Sequence, residues 1–272
     1  MSEFLTNLEF FKYSIACSVL IALVCSFLSV YIVLKRIVFV SVAVTQVSSV
    51  GIAIALITGL DPTPISLFFT FLGVAIFSIR FSERRLSNES RIGVGFVVAS
   101  AASILLVSKS AKGIHEIDDL LYGNILAATP FQIYLMIGII TCIFIAHFLF
   151  YKEFTAVTLD FEMARTSGIR ARFWELMLYL TIGAAISIGI RTSGNLLITT
   201  FLIMPAVNGL LLANRMKNVF VIAVSTGVIS ALTGFYISFY FDLPTSPCIV
   251  ATLFAILCLT IPFRLLHRNH PN

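Results

Sequence analysis

The chain has 272 residues, of which 59% are hydrophobic and only 11% are charged, and its formal net charge is +5. A soluble domain carries about 25% charged residues, and a mean hydropathy of +1.02 is too high for a surface that faces water. These values exclude an ordinary soluble protein. The positive charge does not indicate nucleic acid as a partner, because the basic residues border apolar segments that membrane lipid would surround.

Long segments without Asp, Glu, Lys or Arg follow one another along the chain. They cover residues 13–34, 37–60, 62–79, 92–108, 120–151, 176–190, 192–214, 218–241 and 243–263. A membrane-spanning helix needs roughly 17–25 apolar residues, and lipid forces the backbone to satisfy its hydrogen bonds within each helix. The sequence predicts an all-α polytopic integral membrane protein with about nine transmembrane helices. Eight is the alternative count, because three segments are short.

Basic residues are distributed unequally between the predicted loops. Most of them fall on one side, including Lys35 and Arg36, the arginines of residues 80–91, and those of residues 152–172. Cytoplasmic loops of membrane proteins are enriched in Lys and Arg. The N-terminus is therefore predicted outside and the C-terminus in the cytoplasm.

The chain is predicted to form a single transmembrane domain, 1–272, with a patterned cytoplasmic loop at 152–172. Within this loop, polar and apolar residues alternate at near-helical spacing over residues 160–169. Asp160 is expected to cap a short helix, Glu162 to lie in its first turn, and Gly168 to end it. Such a helix either docks onto a partner protein or lies on the bilayer surface, and the pattern alone does not decide between them.

Few residues outside this loop indicate a metal site or another chemical function. The predicted outer loop 109–123 carries His115, Glu116, Asp118 and Asp119, but their spacing matches no metal motif, so a solvated loop is favoured. The cysteines have no Cys-x-x-Cys spacing and are interpreted as small buried hydrophobic residues. His147, late in its span, is either a ligand or relay, or a histidine hydrogen-bonded to the backbone of a neighbouring helix, and the second interpretation is favoured.

No P-loop, Rossmann fingerprint or nucleophile elbow occurs in the sequence. The chain is therefore not expected to be an enzyme, and any ATP must bind a separate chain. The scarcity of ionisable residues inside the spans argues against a proton-coupled secondary transporter. Polar side chains of the second span can line a pathway or hold helices together; they are Ser41, Thr45, Gln46, Ser48 and Ser49.

Four segments in chain order carry recognisable motifs. They are LLYGNILA at 120–127, DFEMARTSGI at 160–169, GNLLITTFLIMPA at 194–206 and DLPTSPCIV at 242–250. Together they resemble the permease family of zinc, manganese and iron ABC importers, and they spread over most of the chain.

The resemblance implies a permease subunit that moves divalent metal ions across the bacterial cytoplasmic membrane. It implies a second permease subunit, identical or different, and an extracytoplasmic metal-binding protein. It also implies a cytoplasmic ATPase dimer that binds ATP and Mg and docks on residues 160–169, which favours the docking interpretation of that helix. The implied coupling residues are Asp160, Glu162, Ala164, Arg165 and Gly168, and no cofactor is expected on this chain.

One departure from the family pattern concerns the metal itself. After a Lys-Arg pair the family usually carries Asp and, four residues later, His, whereas this sequence has Val42 and Gln46 there. The metal ligands are therefore left unassigned, and the pathway is expected to involve Thr45, Gln46, Ser49 and Asn208.

Three explanations fit this departure. An unlike permease partner could retain the ligands, the pathway could coordinate the ion weakly, or the substrate could be something other than a free metal ion. The first two are favoured. Two other functions are kept as alternatives: a secondary transporter driven by an ion gradient, and a membrane scaffold subunit without transport activity.

Overall fold

The computed structural model describes residues 2–78, 88–109 and 130–268. In these ranges the chain forms helices and no strand, which confirms the predicted all-α polytopic class. The helices are α1 (Ser2–Leu34), α2 (Val38–Thr58), α3 (Pro62–Ser78), α4 (Asn88–Val107), α5 (Pro130–Leu149), α6 (Tyr151–Leu159), α7 (Phe161–Thr166), α8 (Ala171–Phe201), α9 (Met204–Leu212), α10 (Met216–Phe241) and α11 (Thr245–Arg268). Residues 110–129, with His115, Glu116, Asp118, Asp119 and the motif at 120–127, lie outside the described residues.

Seven helical stretches in the described ranges are long and apolar enough to cross a membrane, whereas α3 is shorter at 17 residues. The spans predicted at 176–190 and 192–214 fall together in one 42-residue apolar stretch, Ala171–Leu212. Within the span predicted at 120–151, the structure describes one helix, α5, from Pro130 to Leu149. The number nine and the orientation in the membrane stay predictions.

The 42-residue stretch is not one straight rod, because the chain reverses at Gly194. This residue has φ 74° and ψ 168°, a conformation that only glycine adopts readily. Beyond it, the Ile198 side chain packs against Gly189, although nine residues of straight helix would separate the two by about 13.5 Å. The predicted boundary between the two spans was at Arg191, since a charge ends the apolar run there. The reversal occurs three residues later, where the backbone can bend.

The returning segment has a second interruption. Helix α8 ends at Phe201, and α9 starts at Met204 with Pro205 in its first turn. Proline lacks the backbone donor that would continue the helix, and its ring collides with the preceding turn. Residues 195–212 therefore return as two short helices, which pack with α10 and α11.

Packing divides the described helices into two neighbouring groups around α8. Helix α2 packs against α3 and α4, while α1 packs against α9 and α10, and α10 against α11. Helix α8 contacts α1, α2 and α3, so it joins the two groups. Its Ile186 and Leu197 are fully buried in the shared core.

Two ion pairs mark opposite ends of the bundle. Arg191, late in α8, pairs with Asp61 before α3, while Glu175, early in α8, pairs with Lys35 after α1. Sixteen residues of helix separate the two α8 positions by about 24 Å. The structure therefore has a Lys35 end, which carries α6 and α7, and an Arg191 end.

Candidate functional site

Residues 160–169 are called the docking segment below, after the role that the family resemblance implies for them. They form a short helix with both ends closed as expected from the sequence. The Asp160 Oδ1 accepts a hydrogen bond from the Met163 backbone N–H at 2.9 Å, so the predicted N-cap is confirmed. Gly168 has φ 81°, and the Ile169 N–H donates to the Ala164 carbonyl at 3.1 Å. A left-handed glycine with this bond is a common helix terminator, which confirms the predicted stop.

The docking segment has one buried and one exposed side. Ala164 is 3% exposed and packs with Val157 and Ala171. Glu162 and Arg165 point outward, with side chains 73% and 67% exposed and their charged atoms 3.7 Å apart. Ala164 therefore supports the segment from within and is not itself available to a docking partner. An ion pair this exposed contributes at most about 1 kcal/mol to stability.

Lys35 lies beneath the docking segment. Its Nζ lies 3.0 Å from Glu175 Oε1 of α8 and donates to the Val157 carbonyl of α6 at 2.9 Å. The Lys35 and Glu175 side chains are only 5% and 12% exposed. From the sequence, Lys35 was identified only as a basic residue of a predicted cytoplasmic loop. Its pairing with Glu175 was not predicted, because contacts between residues so far apart in the chain leave no local pattern.

An aromatic cluster supports α6 from the other side. The His147 ring of α5 stacks on Phe154 of α6 with 4.1 Å between ring centroids, and Tyr31 of α1 lies 5.0 Å from the same histidine. The His147 Nε2 atom lies 3.1 Å from Thr181 Oγ1 of α8, within hydrogen-bond distance. The expected backbone partner is thus wrong, and His147 bonds a side chain of α8.

The predicted pathway residues of α2 lie along one side of the helix but differ in how deeply they are buried. Thr45 and Ser49 are fully buried, and their hydroxyls donate to the Val42 and Thr45 carbonyls of their own helix. Gln46 and Val42 are only partly buried, and their i, i+4 spacing places them next to each other on the helix surface. Of the α2 candidates, Gln46 therefore offers the accessible polar group, whereas Thr45 and Ser49 are internal to this chain.

Asn208 of α9 lies in a different environment from the α2 residues. It is fully buried, and its Oδ1 accepts a hydrogen bond from Thr260 of α11 at 3.0 Å. The contact joins the returning segment to the last helix. Asn208 therefore joins α9 to α11 in this chain, and its place in a pathway stays a prediction.

A chain of hydroxyl groups, which sequence reasoning did not identify, joins three helices. Ser66 Oγ of α3 lies 2.9 Å from Ser48 Oγ of α2 and 2.8 Å from Ser187 Oγ of α8. All three serines are almost completely buried. Hydroxyl contacts of this kind hold membrane helices together, and their partners become visible only when the three helices are packed.

A cavity of about 130 Å³ opens at the Arg191 end, next to Ser187. Its polar lining consists of Asp61, Thr63, Gln132, Ser187, Arg191 and Thr192. Arg191 Nη1 donates to Asp61 Oδ1 at 3.2 Å and to Thr63 Oγ1 at 3.0 Å. Within the described residues, no three side chains of His, Cys, Asp or Glu come together as a metal site would require.

Removal of the Asp61 charge should lower the stability of the folded chain at neutral pH but not at strongly acidic pH. The Thr63 backbone N–H, the Thr63 hydroxyl and Arg191 hold the pKa of Asp61 below its usual value. This stabilisation is complete above the ordinary carboxyl pKa of about 3.9 and is lost as the pH falls through the lowered pKa. We expect Asp61→Asn to lower the unfolding midpoint slightly at pH 6, with the difference shrinking as the pH falls below about 3.9 in a thermal-shift series. An unchanged difference across that range would contradict the assignment.

The chain matches a family model described as ABC 3 transport family over residues 7–264. It is similar to the manganese transport system membrane protein MntC of Listeria monocytogenes, with 27% identity over 91% of this chain and 88% of the relative. The chelated iron transport system membrane protein YfeC of Yersinia pestis is 26% identical over 90% of this chain and 83% of its own length. In the solved structure of PsaBC from Streptococcus pneumoniae in complex with Fab, one chain has the same fold. The TM-score is 0.86 at 22% identity, covering 95% of this chain and 94% of that one.

Proposed function

Because this chain belongs to the ABC 3 transport family, we propose that it is the permease subunit of an ATP-driven importer for divalent metal ions. The main support for this proposal is that the family match extends from residue 7 to residue 264 and so includes nearly every described helix. Relatives named for manganese and iron transport favour those two ions over zinc. The proposed location is the bacterial cytoplasmic membrane.

The energy source is proposed to reside on partner chains. The sequence has no P-loop, so ATP and Mg would bind a cytoplasmic ATPase dimer. The exposed face of the docking segment, with Glu162, Met163 and Arg165, is the proposed contact with that dimer, because a charged and partly apolar helical face suits protein recognition. An extracytoplasmic binding protein would deliver the ion at the Arg191 end.

A second permease subunit would complete the pathway. The accessible face of α2 offers one amide, Gln46, beside Val42, which cannot bind a metal ion. Carboxylate oxygens and imidazole suit Mn²⁺ and Fe²⁺ better than a single neutral amide. We therefore propose an unlike permease pair. The other subunit supplies the stronger metal ligands, and this chain lines the pathway with the weakly coordinating Gln46 amide.

Adding ligands to this face tests the proposed pathway. In the purified complex, Val42→Asp combined with Gln46→His is expected to tighten Mn²⁺ binding at least tenfold, about 1.4 kcal/mol, because both new groups lie on one helix face. Isothermal calorimetry measures the change. The matched control, Val42→Leu with Gln46→Leu, alters the same face without adding ligands and should not tighten binding. Equal affinities for all three forms would remove this face from the pathway.

The function itself is tested by reconstituting the co-purified complex in liposomes and measuring Mn²⁺ uptake. The proposal requires uptake that needs ATP and survives dissipation of ion gradients. Uptake that persists without the ATPase and collapses with an ionophore would identify a gradient-driven secondary transporter. Absence of any substrate-dependent change would favour a scaffold subunit.

A further inference from the structure

The docking segment is joined to the bundle through a small hydrophobic contact of its own. Val157, Ala164 and Ala171 form a cluster separate from the main core, with only partly buried residues such as Trp174 touching both. A segment held by so few buried side chains could shift without moving the transmembrane helices. Any force applied to it therefore needs a firmer connection to the core.

Lys35 supplies such a connection from α1. Its ammonium group binds the Val157 carbonyl, which belongs to the small cluster, while its backbone continues from Leu34 at the end of α1. Val157 lies in the last turn of α6, where carbonyls have no partner within the helix and attract positive charge. The same ammonium lies 5.7 Å from the Phe161 ring centroid at the start of α7. The Lys35 side chain thus contacts both α6 and α7.

Glu175 holds the ammonium group from the opposite side. Its Oε1 lies 3.0 Å from Lys35 Nζ, and it belongs to the first turns of α8, which continues to the reversal at Gly194. Both charges are largely withdrawn from water, so the contact is directional and little screened by salt. Motion of α6 is therefore passed to α1 and α8 together.

We propose that Lys35 is the positioning residue that couples movement of the docking segment to the transmembrane helices during transport. This inference rests on the proposed function, since it assumes that a partner ATPase moves the segment. Without Lys35, the aromatic cluster around Phe154 still attaches α6 to the bundle, but the polar connection that holds α6 and α7 to α1 and α8 is lost. ATP hydrolysis would then continue with little metal movement.

A purely stabilising role predicts something different. A buried ion pair can often be replaced by apolar residues of similar volume without loss of stability, whereas removal of one partner leaves an uncompensated charge. Lys35→Met with Glu175→Met removes both charges and retains the side-chain length. If the pair serves stability alone, this double variant should transport normally. If it transmits motion, the double variant should assemble and remain uncoupled.

The experiment compares the reconstituted complex carrying the double variant with the unmodified complex and with two controls. Lys35→Arg keeps the charge and the donors, and Arg36→Met removes a charge from the neighbouring exposed position. The number of Mn²⁺ ions imported per ATP hydrolysed is the main readout, and size-exclusion chromatography reports assembly. We expect the ratio to fall at least tenfold in the double variant and less than twofold in both controls.

An unchanged ratio in the assembled double variant would overturn the proposal, as would a loss of assembly that accounts for the loss of uptake. A fall of equal size in Arg36→Met would also overturn it, because that result would reflect surface charge alone. Failure of the proposed function is recognised separately. In that case the unmodified complex itself shows no ATP-dependent uptake, before any variant is compared.

Discussion

Replacement of Gly194 by alanine is expected to lower the stability of the folded chain by about 1–3 kcal/mol, the usual cost of holding a side chain in such a backbone region. Gly194 has φ 74° and ψ 168° at the point where the chain reverses. A Cβ atom there would oppose the turn that returns Ile198 to Gly189. Because folded proteins are stable by only about 5–15 kcal/mol, the yield of assembled protein should also fall.

Gly138→Ala provides a matched control for this prediction. Gly138 lies inside α5, and a Cβ atom there would meet no other atom within 4 Å. Alanine favours a helix over glycine by up to about 1 kcal/mol, so this variant should be neutral or slightly more stable. Thermal unfolding in detergent compares the two. Equal midpoints for Gly194→Ala and the unmodified chain would contradict the assigned reversal.

Gly168→Pro is expected to abolish transport while the chain remains inserted in the membrane. Gly168 has φ 81° and its N–H donates to the Arg165 carbonyl at 3.3 Å. Proline requires φ near −65° and has no N–H, so the end of the docking segment would be distorted. The distortion lies outside the apolar helices, and insertion should be unaffected. Metal uptake and the ATPase activity of the reconstituted complex measure the effect.

Two further variants test whether the loss of transport arises from the distorted helix end or from the exposed face of the docking segment. Asparagine tolerates the left-handed conformation and also serves at helix ends, so Gly168→Asn should retain most of the transport activity. Glu162→Lys leaves the backbone unchanged and reverses a charge on the exposed face, and we expect it to reduce coupling if that face contacts the ATPase. Normal uptake by both Gly168→Pro and Glu162→Lys would contradict the assigned docking segment.

Features of this protein that depend on neighbours along the chain were predictable from its sequence. The membrane class follows from apolar length, because lipid selects helices of that length whatever surrounds them. The ends of the docking segment follow from Asp160 and Gly168, since an N-cap and a left-handed stop act within a few residues. Both interactions are local, so a local pattern is sufficient to predict them.

Other features were decided only by tertiary packing. Thr45, Ser49 and Gln46 look equivalent as polar residues of one span, yet packing against α3 and α4 buries the first two and leaves Gln46 partly accessible. The pairing of Lys35 with Glu175 and the contact of Ser66 with Ser187 each join residues more than 100 positions apart. No local pattern predicts such contacts, because each residue is compatible with its own helix whether or not its distant partner is present. The membrane fold was therefore determined by the sequence of each segment, and the connection beneath the docking segment by how the segments pack together.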